Sequence, residues 1–453
     1  MARSGPFAAL ASSFQPADET PSVVRGCLSR GNGTPRQRRL SPDLRDRLMD
    51  TDLQLDVTRR DDCCSHEGPI CILELRSVRG TGGGPEKTIL LGAARSNPTR
   101  FPITVCYIRD ARDEIFDIHT RAMTAGVDYA EVLERHSFDR RIWRQLVELI
   151  RSRQIDIVHS HDYKTDLLAL LLARAEGVKA LATAHGWIRN TPRQRFYCWA
   201  DVYLLKRFPR VIAVSGPIKK TLVQHGARAD RVHQIPNGVD HELYRRRPAT
   251  RAVVRRELGI SADTVVIGSV GRLSPEKRFD LLLVAAAKLT VPPHIVIVGE
   301  GSQRAHLSAQ ARALGLGDRL LLLGQRTDVS DLLQAFDVYV QSSDTEGLPN
   351  VVLEAMATEV PVVATRVGGT TELIDDDVHG LLVPAGDATR IAEAVNEILR
   401  DRRAAERRTA AARLRIEQEL SFSVRMARVE EIYRTLFASP PLRTPRHERA
   451  RAY

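Results

Sequence analysis

Glu346 and Glu354 stand with seven residues between them in Ser343-Asp-Thr-Glu-Gly-Leu-Pro-Asn-Val-Val-Leu-Glu-Ala-Met-Ala357. Pro349 suits the first turn of a helix, where its missing N–H costs little. The run from Asn350 to Ala357 then reads as that helix. Glu346 falls in the loop before it, and Glu354 lies about one turn inside. Two carboxylates thus flank a helix N-terminus, whose free N–H groups and dipole attract anions, phosphate above all. Gly347, Leu348, Pro349 and Asn350 fill the space between and are read as lining the same site. A ligand with hydroxyls at both ends and a diphosphate in the middle fits it. A nucleotide-diphosphate sugar is such a ligand.

Other residues have the types that this chemistry needs. Arg272 follows an apolar run and Gly271, and Lys277 comes five residues later. Charge-assisted bonds from the two would favour a departing diphosphate as its charge grows. The bland reading is an ordinary basic loop. His185 ends another apolar run, before Gly186 and Trp187. A lone histidine is more often structural, but a strand end followed by glycine is where a cleft residue belongs. Gly83 and Gly84 follow the first apolar run, and Gly299 follows a later one. Without side chains, such positions let the backbone approach a phosphate or an acceptor. Gly80 to Pro85 is not a dinucleotide fingerprint, because the third glycine is missing. His159-x-His161 has metal-ligand character, but no carboxylate or cysteine stands at a helpful spacing. It reads as a strand end, with His161 available to line the acceptor side.

These segments are similar, in order from about residue 68 to 385, to the retaining family 4 glycosyltransferases. The matching motifs are Gly83-Gly84-Pro-Glu86, Thr183-Ala-His185-Gly186, Val214-Ser215, Pro236-Asn237-Gly238-Val239-Asp240, Gly271-Arg272-Leu-Ser-Pro-Glu-Lys277, Gly299-Glu-Gly301, Val367-Gly368-Gly369-Thr-Thr-Glu372 and the Glu346–Glu354 segment. The resemblance implies a GT-B fold and transfer of a sugar from a UDP- or GDP-linked donor to a hydroxyl. It implies that Glu354 holds the ribose and that Glu346 holds the donor sugar and supports its cationic transition state. His185 would face the reacting sugar and phosphate from the first domain. Transfer would pass through a tight ion pair on one face of the sugar, with no cofactor and no metal. Asp375-Asp376-Asp377 looks like the metal-binding acids of the other glycosyltransferase fold, but it falls where this family has a polar turn. Competing readings are a sugar-nucleotide epimerase and a catalytically idle sugar-nucleotide-binding subunit. A phosphorylase is disfavoured by the absence of a lysine motif for pyridoxal phosphate.

The elements that must position these residues follow from apolar periodicity. Short apolar runs alternate with helical segments: Cys71 to Leu75, Ile103 to Ile108, Ile155 to His159, Ala180 to Ala184, Val211 to Val214 and Val232 to Ile235. A polar, Arg-rich stretch, His241 to Arg256, separates these from a second series: Val265 to Val270, Ile295 to Val298, Leu320 to Leu323, Val338 to Val340, Val362 to Ala364 and Leu381 to Val383. Alternation of this kind predicts an α/β protein with two Rossmann-like, doubly wound parallel sheets facing a cleft. Ligands in such sheets sit at the carboxyl ends of strands, where Gly83, His185, Arg272, Gly299 and Glu346 all fall. The expected organisation is a disordered tail over 1–67, an acceptor domain over 68–245 and a donor domain over 246–418. A helix over 419–437 would cross back to the first domain, with a frayed tail over 438–453.

Hydrophobic residues make up 43% of the 453, enough for two sizeable cores, and the net charge of +11 favours an anionic partner. Trp187 to Arg210 mixes six aromatic residues with six arginines and lysines. Such a mixture suits an anionic membrane surface or a phosphate-bearing acceptor, and equally an amphipathic helix with its rings turned inward. No motif supports nucleic-acid binding. No apolar run reaches the roughly 20 residues that span a bilayer. The longest, Leu167 to Ala173, reads as a buried helix, and no signal peptide is read at the start. Six cysteines without metal spacing suggest reduced thiols. The expected location is the cytoplasm, with contact to the inner face of the membrane.

Overall fold

The computed structural model describes residues 68–440 apart from 79, 81, 137, 138 and 188–191. The tail expected over 1–67, and nearly all of that expected over 438–453, lie outside the described residues.

The first series of elements is β1 (Ile72–Val78), α1 (Gly84–Arg95), β2 (Ile103–Asp110), α2 (Ile118–Thr124), β3 (Asp128–Glu134), α3 (Arg141–Ser152) and β4 (Ile157–Ser160). It continues with α4 (Tyr163–Glu176), β5 (Lys179–Ala184), α5 (Pro192–Leu205), β6 (Arg210–Ala213), α6 (Gly216–Gln224) and β7 (Val232–Gln234). The second begins with α7 (Pro248–Glu257), β8 (Val266–Val270), α8 (Phe279–Ala287), β9 (His294–Val298), α9 (Arg304–Ala313), β10 (Leu320–Leu322) and α10 (Val329–Leu332). It ends with β11 (Val338–Gln341), α11 (Asn350–Ala357), β12 (Val362–Thr365), α12 (Thr370–Leu373), β13 (Leu381–Val383), α13 (Ala388–Arg400), α14 (Arg402–Gln418) and α15 (Phe422–Phe437).

The strands form two sheets, in the orders β3-β2-β1-β4-β5-β6-β7 and β10-β9-β8-β11-β12-β13. Every pairing is parallel. The two doubly wound, Rossmann-like domains read from the sequence are therefore present. In each sheet the strand order reverses once, between β1 and β4 and between β8 and β11. Helices leave opposite faces there, and a crevice opens at the strand ends.

Three expectations change. The strand β3 was not read from the sequence. It is an edge strand with four acidic or tyrosine side chains among seven residues, and only Val132 in it is buried. The arginine-rich stretch is not a mere divider: α7 is clasped to the second sheet. Arg251 and Arg255 both reach the Asp337 carboxylate, at 2.6 and 2.7 Å, and Arg255 also donates to Ala335 O at 3.1 Å. After β13 come two successive helices, α13 and α14. Asp401 stands between them and caps the second by accepting from Ala404 N at 2.9 Å.

Leu167 and Leu171 are 47% and 43% exposed, so α4 is not the buried helix that its apolar run suggested. Among the described residues, no helix is long and apolar enough to cross a membrane. Among the described residues, Cys71, Cys106 and Cys198 are free thiols. The chain returns after α14 to the first sheet: Val239 N donates to Leu420 O, and Val429, Ile432, Tyr433 and Leu436 of α15 join the apolar cluster under β1 and β2.

Candidate functional site

The switch point of the second sheet carries the residues singled out first. β8 ends at Val270, and Gly271 to Lys277 follows. β11 ends at Gln341, and Ser342 to Pro349 leads into α11. Pro349 occupies the N-cap position of α11, one residue earlier than the sequence suggested. Lys277 lies in a single 3-10 turn, Pro275–Lys277, before α8. Its ammonium donates to Glu346 Oε1 at 2.6 Å, and Ser343 Oγ donates to the same oxygen at 2.6 Å. Arg272 is exposed, and its guanidinium has no partner among the described residues. Gly299 and Gly301 do not offer open backbone. A Cβ on them would fall 2.0 Å from Gly271 O and 2.3 Å from Leu273 O, so they let a neighbouring turn nest under Arg272.

The first sheet faces this point with its own strand ends. His185 follows β5, and Gly186 takes a left-handed conformation (φ +107°) that glycine tolerates. The two domains touch here backbone to backbone. A Cβ on Gly347 would lie 2.2 Å from His185 O, so this glycine permits the close approach across the cleft. Within the second domain, a Cβ on Gly368 would lie 1.9 Å from Glu346 O, and Leu348 is buried beside Gly369.

A second contact spans the cleft at the start of α1, whose N-cap is Gly83. Asn350 Nδ2 donates to Gly84 O at 3.1 Å, and Asn237 Nδ2 donates to Asn350 Oδ1 at 2.8 Å. Lys87 donates to Glu354 Oε1 at 2.7 Å and to Tyr244 Oη at 2.6 Å. Glu354 Oε2 is buried without a hydrogen-bond partner among the described residues. Burial alone would lower the Lys87 ammonium, but Glu354 and Tyr244 outweigh it and hold it above the usual lysine range. A third contact joins Glu372 Oε1 to Gly216 N at 2.6 Å and Glu372 Oε2 to Gln234 Nε2 at 3.0 Å.

Sequence reasoning missed Lys87 and Tyr244. Lys87 is one basic residue on a helix, and nothing local marks its partner 267 residues away. It also found no acidic partner for His159-x-His161. The fold supplies Glu74, opposite His159 in the β1–β4 register. Ligand atoms of Glu74, His159 and His161 all lie within 4.8 Å of one another. His161 is buried, so it does not itself line an open pocket. The acidic run is an exposed turn whose members pair with arginine: Asp375 with Arg415 at 2.8 Å, Asp376 with Arg366 at 2.5 Å and Asp377 with Arg408 at 2.5 Å.

The rings after Trp187 divide. Phe208 is buried, whereas Phe196 and Trp199 are each 61% exposed and Tyr203 is 42% exposed. Trp199 stacks on Tyr203 at 5.6 Å, and Tyr163 of α4 stacks on Tyr197 at 4.7 Å. Lys206 and Arg207 lie over the Tyr203 ring. Spacings of three and four residues place Phe196, Trp199 and Tyr203 on one face of α5.

Residues 250–415 match the family model described as Glycosyl transferases group 1, and residues 103–243 match that of Glycosyltransferase Family 4. The chain is 29% identical over 270 residues to an Escherichia coli UDP-Gal:alpha-D-GlcNAc-diphosphoundecaprenol alpha-1,3-galactosyltransferase, covering 57% of this chain and 70% of that protein. EpsD of Bacillus subtilis (strain 168) is 30% identical over 288 residues, 59% of this chain and 74% of that protein. Among solved structures, Anabaena Alr3699/HepE in complex with UDP-glucose superposes with a TM-score of 0.73 at 24% identity, over 81% of this chain and all of that one. WaaG, a glycosyltransferase involved in lipopolysaccharide biosynthesis, gives 0.61 at 18% identity, over 80% of this chain and 99% of that one. The chain belongs to family 4 of the glycosyltransferases, with the two-domain GT-B fold.

Proposed function

We propose that the protein is a retaining glycosyltransferase that moves a sugar from a UDP- or GDP-linked donor to a hydroxyl acceptor in bacterial polysaccharide or glycolipid biosynthesis. The observation that carries this reading is the pair of glutamates at α11. One has a buried, unpartnered oxygen (Glu354 Oε2), and the other is held by Lys277. Glu354 Oε2 suits the ribose hydroxyls, and its Oε1 is steadied by Lys87. The diphosphate lies at the α11 N-terminus, beside Arg272 and Lys277. Gly83, Gly84, Gly347, Leu348, Pro349 and Asn350 shape the passage between the domains, and Gly299 supports Arg272 from below. The names of the E. coli relative and the Anabaena structure include uridine-diphosphate sugars, which favours that class of donor.

Transfer breaks the bond between the anomeric carbon and a diphosphate oxygen. Negative charge grows on the leaving group, where Arg272, Lys277 and the helix dipole stabilise it. Positive charge grows on the sugar ring, and the Glu346 carboxylate stabilises that. His185 faces the reacting sugar from the first domain. Departure and attack on the same face retain the configuration. The positive groups named supply the potential at the diphosphate, so no divalent metal and no cofactor are required.

The exposed rings of α5, with the Tyr163, Leu167 and Leu171 face of α4 and the neighbouring Lys206 and Arg207, suit a lipid-linked acceptor met at an anionic membrane surface. The enzyme would then be cytoplasmic and visit the inner face of the membrane. Sedimentation with anionic vesicles that weakens as salt rises is the expected result. Equal binding to neutral vesicles would argue for a soluble acceptor.

A panel of nucleotide sugars, read by thermal shift and by nucleotide release with and without EDTA, tests the whole. One nucleotide sugar should stabilise the protein and be turned over despite EDTA. Turnover that requires added manganese would overturn metal independence. Conversion of the donor sugar to its epimer would make the protein an epimerase, and binding without turnover an idle subunit.

A further inference from the structure

Behind His185 lies a buried chain of hydrogen bonds that no step above uses. His185 Nε2 is 3.1 Å from His161 Nδ1. His161 Nε2 bonds Glu74 Oε2. Glu74 Oε1 accepts from His159 Nδ1 at 3.0 Å and from Tyr433 Oη at 2.8 Å. His159 Nε2 is 2.7 Å from Thr183 Oγ1. Glu74 comes from β1, His159 from β4, His161 from the residue just past its end, and Tyr433 from α15, the helix that returns from the second domain.

The protons can be assigned in sequence. A carboxylate only accepts, so His161 Nε2 must carry a hydrogen. In a neutral imidazole that leaves His161 Nδ1 as an acceptor. His185 Nε2 must then be the N–H that donates to it, and His185 Nδ1 is left as a bare lone pair. His159 Nδ1 faces Glu74 Oε1 and so also carries a hydrogen, while its Nε2 lies against Thr183 Oγ1. Every ligand atom of Glu74, His159 and His161 is therefore already used, which argues against reading the trio as a metal site.

We propose that Glu74 and His161 are positioning residues that lock His185 as the tautomer protonated at Nε2, so that its Nδ1 accepts a hydrogen bond from a hydroxyl of the bound substrate. The substrate half of this rests on the reading of His185 as facing the reacting sugar. The arrangement is a histidine oriented by a second histidine and a carboxylate, in which the residues behind act only through the one in front.

The surrounding charges support the assignment. Arg76 of β1 donates to His161 O at 2.9 Å and pairs with Glu86 of α1, and Asp162 lies at the start of α4. Arg425 of α15 is buried with its Nε unpartnered. Burial, then the cost of adding a second positive charge beside His161 when that ring is protonated, then Arg76 and Arg425, keep the His185 imidazole well below the usual histidine range. Burial brings His161 down to about 4 despite the opposing pull of Glu74. Both rings are neutral at pH 7, as the proton assignment requires.

Nitrogen-15 NMR of the full chain labelled at histidine reads the tautomer directly, with His185 identified by the loss of its signals in His185→Asn. The expected spectrum has His185 Nε2 protonated and Nδ1 bare, unchanged from pH 6 to 9. Glu74→Gln and His161→Gln should move His185 toward a mixture of tautomers. Turnover should fall at least tenfold while the KM for the donor stays within twofold. His161→Asn, whose amide oxygen falls near the lost Nδ1, should restore both readouts in part. A His185 protonated at Nδ1, a tautomer and turnover unmoved in both glutamine variants, or one equivalent of zinc held by the purified protein would overturn the proposal. Reading the tautomer needs only the assignment variant and no turnover assay, so it decides the tautomer even if the proposed transfer reaction fails.

Discussion

The Lys87–Glu354 pair should couple the two domains energetically, and a double-mutant cycle can measure it. The ammonium sits 2.7 Å from Glu354 Oε1, and the side chains are 43% and 4% exposed. At an effective dielectric of about 20 the gross attraction is about 6 kcal/mol. Solvent screening of the half-exposed lysine and desolvation of the carboxylate reduce the net to about 1–2 kcal/mol. Lys87→Met keeps the apolar stem and strands a buried carboxylate, so it should cost about 2 kcal/mol. Glu354→Gln removes the charge but keeps an acceptor, and should cost about 1 kcal/mol. The double variant should lose about 1 kcal/mol less than the sum of the two. Because the lysine is raised in the folded state, its contribution is fully present below its unfolded value, near pH 10.4, and is lost only as pH rises through the higher folded value. The coupling should therefore be flat from pH 6 to 9. Urea unfolding followed by tryptophan fluorescence is the assay, with donor KM as a second readout that should rise in both single variants. Losses that add within about 0.3 kcal/mol would refute the contact across the cleft.

Lys277→Ala and Glu346→Gln should each lower kcat by about 100- to 1000-fold, the cost of removing one group aimed at developing charge; full turnover with an unchanged melting curve would sink both roles. Gly347→Ala puts a methyl 2.2 Å from His185 O and should cost about 1–3 kcal/mol of cleft closure, seen as a roughly 10- to 100-fold fall in kcat/KM with little change in the melting of either domain. Asp166 and Asp201 lie buried together, with Trp187 Nε1 donating to Asp201 Oδ2 at 2.6 Å, and burial raises both carboxyls. The folded state then binds more protons than the unfolded one. Stability should fall as pH rises from about 4 through the raised values, and Asp201→Asn should flatten that slope in thermal melts taken between pH 4 and 8.

Among the described residues, twelve of the thirteen strands were legible because parallel strands buried on both faces read as short apolar runs. The exception, β3, is an edge strand whose Asp128, Glu131 and Glu134 hide its alternation. The strand-end segments of the second domain were legible for a similar reason. Gly271 to Lys277 and Ser343 to Glu354 each hold their chemistry within a dozen residues, at a strand end or a helix start. What could not be read was assembled from distant segments. Lys87 meets Glu354 only because the domains close, and Glu74 meets His159 and His161 only because β1 pairs with β4 in one register. The aromatic stretch after Trp187 left two readings open because its period fits either face; the exposure of Phe196, Trp199 and Tyr203 shows that those rings are not core.

The most direct test follows the product of the first turnover. Once the panel has identified a donor, proton NMR of the transferred sugar reports the configuration at its anomeric carbon while the nucleotide is released. The account predicts transfer with the donor's configuration retained, and loss of both transfer and release in Glu346→Gln. An inverted product, or retained transfer that persists undiminished without Glu346, would contradict it.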